Sequence, residues 1–159
     1  MPRFAAEMTL GRLARYLRLL GFDARYDRHW DARRLLALVD PGRILLGRST
    51  PLRDLSGGRP RVWVRADRPR DQLREVIAAC GIGPADVRLF SRCLACNTPV
   101  VPAARAAVRD RVPDYVFATQ PRFFACPECG RVFWPGSHVA RSRAWIAPLL
   151  AEAGGDPGD

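Results

Sequence analysis

The chain contains no lysine, only two histidines and two methionines, and no apolar run near the roughly 20 residues that cross a bilayer. The first absence makes every one of its 26 basic residues an arginine. The last excludes a membrane-spanning helix. Arginines recurring through "MPRFAAEMTLGRLARYLRLLG" break any signal-peptide core, so a cytoplasmic protein is expected. No internal repeat is present.

Acids are also scarce, 16 against the 26 arginines, which leaves a net charge of +10. A G+C-rich coding bias accounts for arginine in place of lysine but not for the excess of base over acid. Guanidinium forks match phosphate oxygens, so nucleic acid is the partner class that the charge favours, ahead of an anionic membrane surface. With 159 residues the chain suits one domain, or one domain with a small appendage. A chain of that length can bury roughly 70% of its unfolded surface.

"PRFAAEM" predicts a short strand leading directly into a helix. In "LGRLARYLRLLG" the residues Leu10, Leu13, Ala14, Leu17 and Leu20 recur at helical spacing, and Gly21 stops the run. "DARYD" predicts a second strand, and Asp31 is placed to cap a helix over "ARRLLALV". "RILLG" suits a buried strand, and "RVWVR" alternates as a strand does after the "SGGRP" turn. Pro69 opens a further helix that ends near Cys80. Strands alternating with helices predict an α/β fold with a largely parallel sheet flanked by helices, whose ligands gather beyond the carboxyl ends of the strands. The rhythm changes after Leu89, and the expected organisation is an α/β domain over 1–90, a cysteine-rich lobe over 91–140, a helix over 141–150 interrupted by Pro148, and a disordered tail over 151–159.

Four of the five cysteines form two Cys-x-x-Cys pairs, Cys93/Cys96 in "RCLACN" and Cys126/Cys129 in "ACPECG". Two intervening residues let both thiolates of a pair enter one tetrahedron, and Gly130 relieves the turn. Two such pairs predict a structural four-cysteine Zn²⁺ site of the zinc-ribbon type. Disulfides do not fit a chain without an export signal, and four thiolates leave zinc no open position for catalysis. An iron–sulfur cluster fits the spacing less well. Cys80 reads as a small buried hydrophobe.

With zinc as a staple, chemistry falls to the N-terminal acids. Glu7 follows the first strand and precedes a helix; from the residues alone, a carboxylate facing a helix dipole is the favoured reading. Arg12, Arg15 and Arg18 are either the solvated side of an amphipathic helix or phosphate contacts near the strand ends.

Five stretches together, "AEMTLGRLARYLRLLGFDARYD", "RILLGRS", "SRCLACNTPV", "RVPDYVF" and "CPECGRVFWPGSH", resemble the Mut-seven C-terminal RNase domain family, in order from about Arg3 to Trp145. That family is a branch of the PIN-like nuclease fold carrying a zinc ribbon. The resemblance implies a metal-dependent endoribonuclease in which acids at strand ends hold Mg²⁺ or Mn²⁺. It puts Glu7 at the first acidic position and Asp27 and Asp31 at the acidic patch before the second helix. The third acidic position is Ser49 here, with Asp54 five residues on. Serine brings no charge to a metal, so a catalytically degenerate RNA-binding module on the same fold is the alternative. Arg48, beside Ser49, is the favoured phosphate contact, with Arg12 and Arg15. A protein-interaction adaptor docking through the ribbon is the third reading.

Trp30, Trp63, Phe124, Phe133 and Trp134 are expected in core or ribbon packing. Phe133 and Trp134 are neighbours, so a strand would turn them to opposite sides and expose one. Ser137 and His138 are expected to brace the ribbon.

Overall fold

The computed structural model describes residues 1–154. Four strands, β1 (Arg3–Ala6), β2 (Asp23–Tyr26), β3 (Ile44–Gly47) and β4 (Arg61–Trp63), form one sheet in the order β2-β1-β3-β4, and every pairing is parallel. The crossovers are α1 (Gly11–Leu19), α2 (Ala32–Leu38) and α3 (Thr50–Leu55), and α4 (Pro69–Cys80) follows β4. The period-two alternation of the strands sorts their side chains between two cores. Phe4, Ala6 and Leu46 pack with α1 and α4, whereas Ala5 and Leu45 pack with Leu35 of α2 and Leu52 of α3. The result is a sheet covered by helices on both faces, as buried parallel strands require. Trp30 and Trp63 pack against the second core.

Helix α3 has no counterpart in the periodicity reading. Six residues are too few to show a hydrophobic period, and its start is set by capping, with the Ser49 hydroxyl accepting from the Leu52 N–H at 3.3 Å.

Beyond α4 the chain forms a second, antiparallel sheet of β5 (Val101–Ala103), β6 (Phe123–Ala125) and β7 (Val132–Phe133) in the order β5-β6-β7. Between β5 and β6 lie α5 (Arg105–Val108) and α6 (Asp114–Thr119), whose Val108 and Val116 bury with Val112 and Phe123 in a third core. Trp134 packs against this core.

The last helix, α7, spans Ser137–Gly154, longer at both ends than the expected 141–150. It also runs through Pro148 without interruption. Ala144, whose carbonyl loses its donor to Pro148, is exposed to water, while Ile146, Leu149 and Leu150 anchor the helix in the first core. Glu152 accepts a 2.7 Å hydrogen bond from Arg74 Nε of α4. The expected disordered tail therefore overlaps helix over 151–154, and residues 155–159 of it lie outside the described residues.

Candidate metal centre and the carboxyl edge of the sheet

The two Cys-x-x-Cys turns are built alike. Cys93 N–H donates to Thr98 O and Asn97 N–H to Cys93 O, both at 2.9 Å. In the second turn, Cys126 N–H donates to Arg131 O and Gly130 N–H to Cys126 O, again both at 2.9 Å. This turn needs a left-handed residue after the second cysteine, and the two occupants are Asn97 at φ 68° and Gly130 at φ 72°. Glycine adopts that conformation at no steric cost, and asparagine is among the few side-chain-bearing residues that tolerate it.

The turns converge so that all four Sγ atoms lie within 4.8 Å of one another. Cys93 Sγ and Cys129 Sγ are 3.7 Å apart, against the roughly 3.8 Å edge of a tetrahedron with Zn–S bonds of about 2.3 Å. Four soft donors at that spacing could hold a metal ion such as zinc. The Arg131 backbone N–H draws the Cys129 thiol down to about 7, whereas the hydrogen bond with Cys129 pushes Cys96 up to about 12. Cys93 and Cys126 are buried, while Cys129 is exposed.

The first turn is fastened to the sheet from two sides. Arg18, buried in α1, donates to Leu94 O at 3.0 Å, Ala95 O at 2.7 Å and Ala24 O at 2.9 Å. Burial lowers its pKa, and the Cys93 and Cys96 thiols oppose that shift. Arg18 is thus a structural clamp and departs from the solvated cationic row expected of α1, where Arg12 and Arg15 are exposed. Asn97 accepts from Ala24 N–H at 3.0 Å and donates to Asp23 Oδ1 at 2.6 Å. Asp23 in turn receives both Nη atoms of buried Arg43, at 2.7 and 2.8 Å. Sequence reasoning missed Asn97, although its place after Cys96 matches that of Gly130 after Cys129.

Glu7, Asp27 and Ser49 follow β1, β2 and β3 and so share the carboxyl edge of the sheet. Glu7 is 7% exposed, and its Oε2 accepts from the backbone N–H of Arg48 at 2.7 Å and of Ser49 at 3.1 Å. Gly47 makes room for it, since a Cβ there would stand 3.0 Å from that same oxygen and 2.7 Å from the Trp63 ring. Glu7 thereby binds the β3–α3 turn through two N–H groups, and its Oε1 has no hydrogen bond among the described residues.

Asp27 accepts from His29 N–H at 2.8 Å and lines a hollow with Arg15 and Arg28. Asp31 caps α2, accepting from Arg34 N–H at 2.8 Å, and lines a neighbouring hollow together with Asp54. Asp54 thus shares a hollow with Asp31, and Ser49's hydroxyl is used to cap α3. Among the described residues the cysteines are the one group of three or more ligand-type side chains close enough to share a metal, so Glu7, Asp27 and Asp31 do not converge at that distance. Arg48 pairs with Asp67 at 2.7 Å and lines a third hollow with Arg53, Trp63 and Arg65, where Arg53 lies 5.6 Å from the Trp63 ring centre.

A family model, that of the Mut7-C RNAse domain, matches the chain over residues 2–146. The chain belongs to this family. The match takes in both the parallel sheet and the cysteine centre, so the two are parts of one family unit. No curated protein and no solved structure matches the chain. Among the described residues no helix is long and apolar enough to cross a membrane.

Proposed function

We propose that this Mut7-C domain binds RNA across the carboxyl edge of its parallel sheet and cleaves it with a divalent ion, Mg²⁺ or Mn²⁺, held chiefly by Glu7. The observation that carries the reading is the position of the Glu7 carboxylate, buried at the end of β1 beneath Arg48, with Oε1 uncommitted among the described residues. Asp27 Oδ2 is the second uncommitted oxygen on that edge, and Asp31 supports from the start of α2. Carboxylate oxygens suit hard divalent ions. Such an ion, when bound, activates water and neutralises charge on a phosphodiester. Arg15, Arg28, Arg48, Arg53 and Arg65 surround the edge and offer forks for the backbone phosphates. The cysteine centre holds structural Zn²⁺ and keeps the ribbon folded against β2.

A second reading, RNA binding without cleavage, draws on Ser49 in place of an acid and on the use of Asp31 as a helix cap. The two separate in one experiment. Zinc-loaded protein is incubated with labelled single-stranded and structured RNA while Mn²⁺ or Mg²⁺ is titrated, beside Glu7→Gln and Asp27→Asn. Metal-dependent cutting by the wild type that Glu7→Gln abolishes is expected. RNA binding with equal inertness of wild type and variants overturns the nuclease reading in favour of the second.

A further inference from the structure

Three phenylalanines, Phe90, Phe124 and Phe133, lie outside all three hydrophobic cores. Strand alternation explains two of them. Phe123 and Val132 turn toward the ribbon core, so their neighbours Phe124 and Phe133 turn away, and these two stand directly opposite each other in the β6–β7 register. All three are half-buried and line one cavity of about 370 Å³ between the ribbon and the start of α7. Trp134 completes the aromatic lining. Both Phe133 and Trp134 are half-buried, so the expected exposure of one of them does not occur.

Rings lining the cavity meet edge to face. His138 of α7 stands 5.2 Å from the Phe90 ring and 6.5 Å from the Trp134 ring, at interplanar angles of 76° and 83°. Phe90 adopts φ 60°, a conformation that side-chain-bearing residues rarely take. Its N–H is fixed to Leu19 O at 3.0 Å, at the end of α1. Strain of this kind is characteristic of ligand-binding positions. Two cations rim the cavity, Arg122 and Arg143, both exposed and without a hydrogen-bond or ion-pair partner among the described residues. No acid lines it.

We propose that this cavity receives an unstacked base of single-stranded RNA. Its ring lies against the Phe124–Phe133 pair, and Arg122 and Arg143 hold the flanking phosphates. An aromatic floor under unpaired guanidinium groups, with no carboxylate present, is complementary to a flat base between two anions and repels neither. A purely apolar partner would leave both arginines unused, and an acidic peptide would leave the rings unused. The site is separate from the carboxyl edge. Phe90 contacts the last turn of α1 and Glu7 precedes the first, so the nine residues of that helix set them roughly 14 Å apart along its axis. The inference rests on the RNA-binding part of the proposed function and is independent of cleavage.

The test is fluorescence anisotropy of zinc-loaded full chain with a labelled single-stranded RNA decamer and with an abasic oligonucleotide of equal length and charge. The variants are Phe124→Leu/Phe133→Leu, which keeps apolar bulk but removes the π faces, and Arg122→Ala/Arg143→Ala on exposed positions that leave folding intact. Expected is a loss of about tenfold in affinity for the leucine pair, and a similar deficit for the abasic oligonucleotide on wild type. The arginine pair should weaken binding and flatten its salt dependence. If wild type binds RNA but both variants and the abasic probe match it, the base pocket is overturned while RNA binding stands. If wild type binds neither probe, the RNA reading falls and the pocket with it.

Discussion

Asn97 Nδ2 donates to Asp23 Oδ1 at 2.6 Å, a hydrogen bond between the first cysteine turn and the first residue of edge strand β2. Asn97 does two jobs at once, since its backbone must also be left-handed. The two can be separated by substitution. Asn97→Gly keeps the backbone and loses the side-chain bonds, which should cost about 1–3 kcal/mol. Asn97→Ala should cost roughly 1 kcal/mol more, because alanine resists positive φ. Urea unfolding of the zinc-loaded variants measures both; equal stability of the two would show that the backbone conformation carries no cost.

Asp23 links acid stability to the same contact. Burial opposes its charge, but hydrogen bonds from Arg43 and Asn97 outweigh burial and hold the carboxyl below its ordinary 3.8. A carboxyl depressed in the folded state contributes stability that is fully present above its unfolded value and is lost as pH falls through the lower folded one. Asp23→Asn should therefore be less stable than wild type near neutrality, with the gap closing below about pH 4. Urea midpoints at pH 7 and pH 3 give the comparison. Zinc release in acid affects both proteins, so their difference is the informative quantity.

Glu7 binds the β3–α3 turn as well as standing at the proposed site. Glu7→Ala orphans the N–H groups of Arg48 and Ser49 and should destabilise by about 1–3 kcal/mol. Glu7→Gln retains an acceptor oxygen and should lose much less. Gly47→Ala drives a methyl group into Leu52 and Trp63 and should cost about 1–3 kcal/mol by overpacking. Thermal unfolding ranks the three. A Glu7→Gln protein as unstable as Glu7→Ala would contradict this account of the turn.

One tetrahedral ion is expected per chain, measurable by mass spectrometry under native conditions. Structural zinc in small lobes supplies on the order of 10 kcal/mol, so a strong chelator should abolish the near-ultraviolet signal of Trp134 and its neighbours. Cys93→Ser, at a buried ligand, should act like chelation. Retention of the ribbon's amide protection after chelation would refute a structural role for the metal.

Strands β1 and β3 were readable as short, mostly apolar runs and β4 from its alternation after a turn, and the cysteine centre because two-residue spacing is a geometric requirement. Asp31 and Pro69 announced two helix starts correctly. Other features left little trace. Helix α3 is specified by one cap and is too short for a period. Arg18 looks identical in sequence to Arg15, and only its three carbonyl partners distinguish it. Those carbonyls belong to Ala24, Leu94 and Ala95, and no local pattern brings residue 18 to residues 94 and 95. Phe124 and Phe133 likewise become a pair only through a register that joins separate strands.

The same clamp bears on solubility. Ala24 offers its N–H to Asn97 and its carbonyl to Arg18, which plugs the outer rim of β2 with side chains. An open rim of a sheet is a template on which a second chain can add a strand. A fragment ending before Cys93 would lose the Asn97 plug and expose that template. Such a fragment should self-associate through β2 even where its own sheet is intact. The lobe that carries the cysteines also covers the open edge of β2.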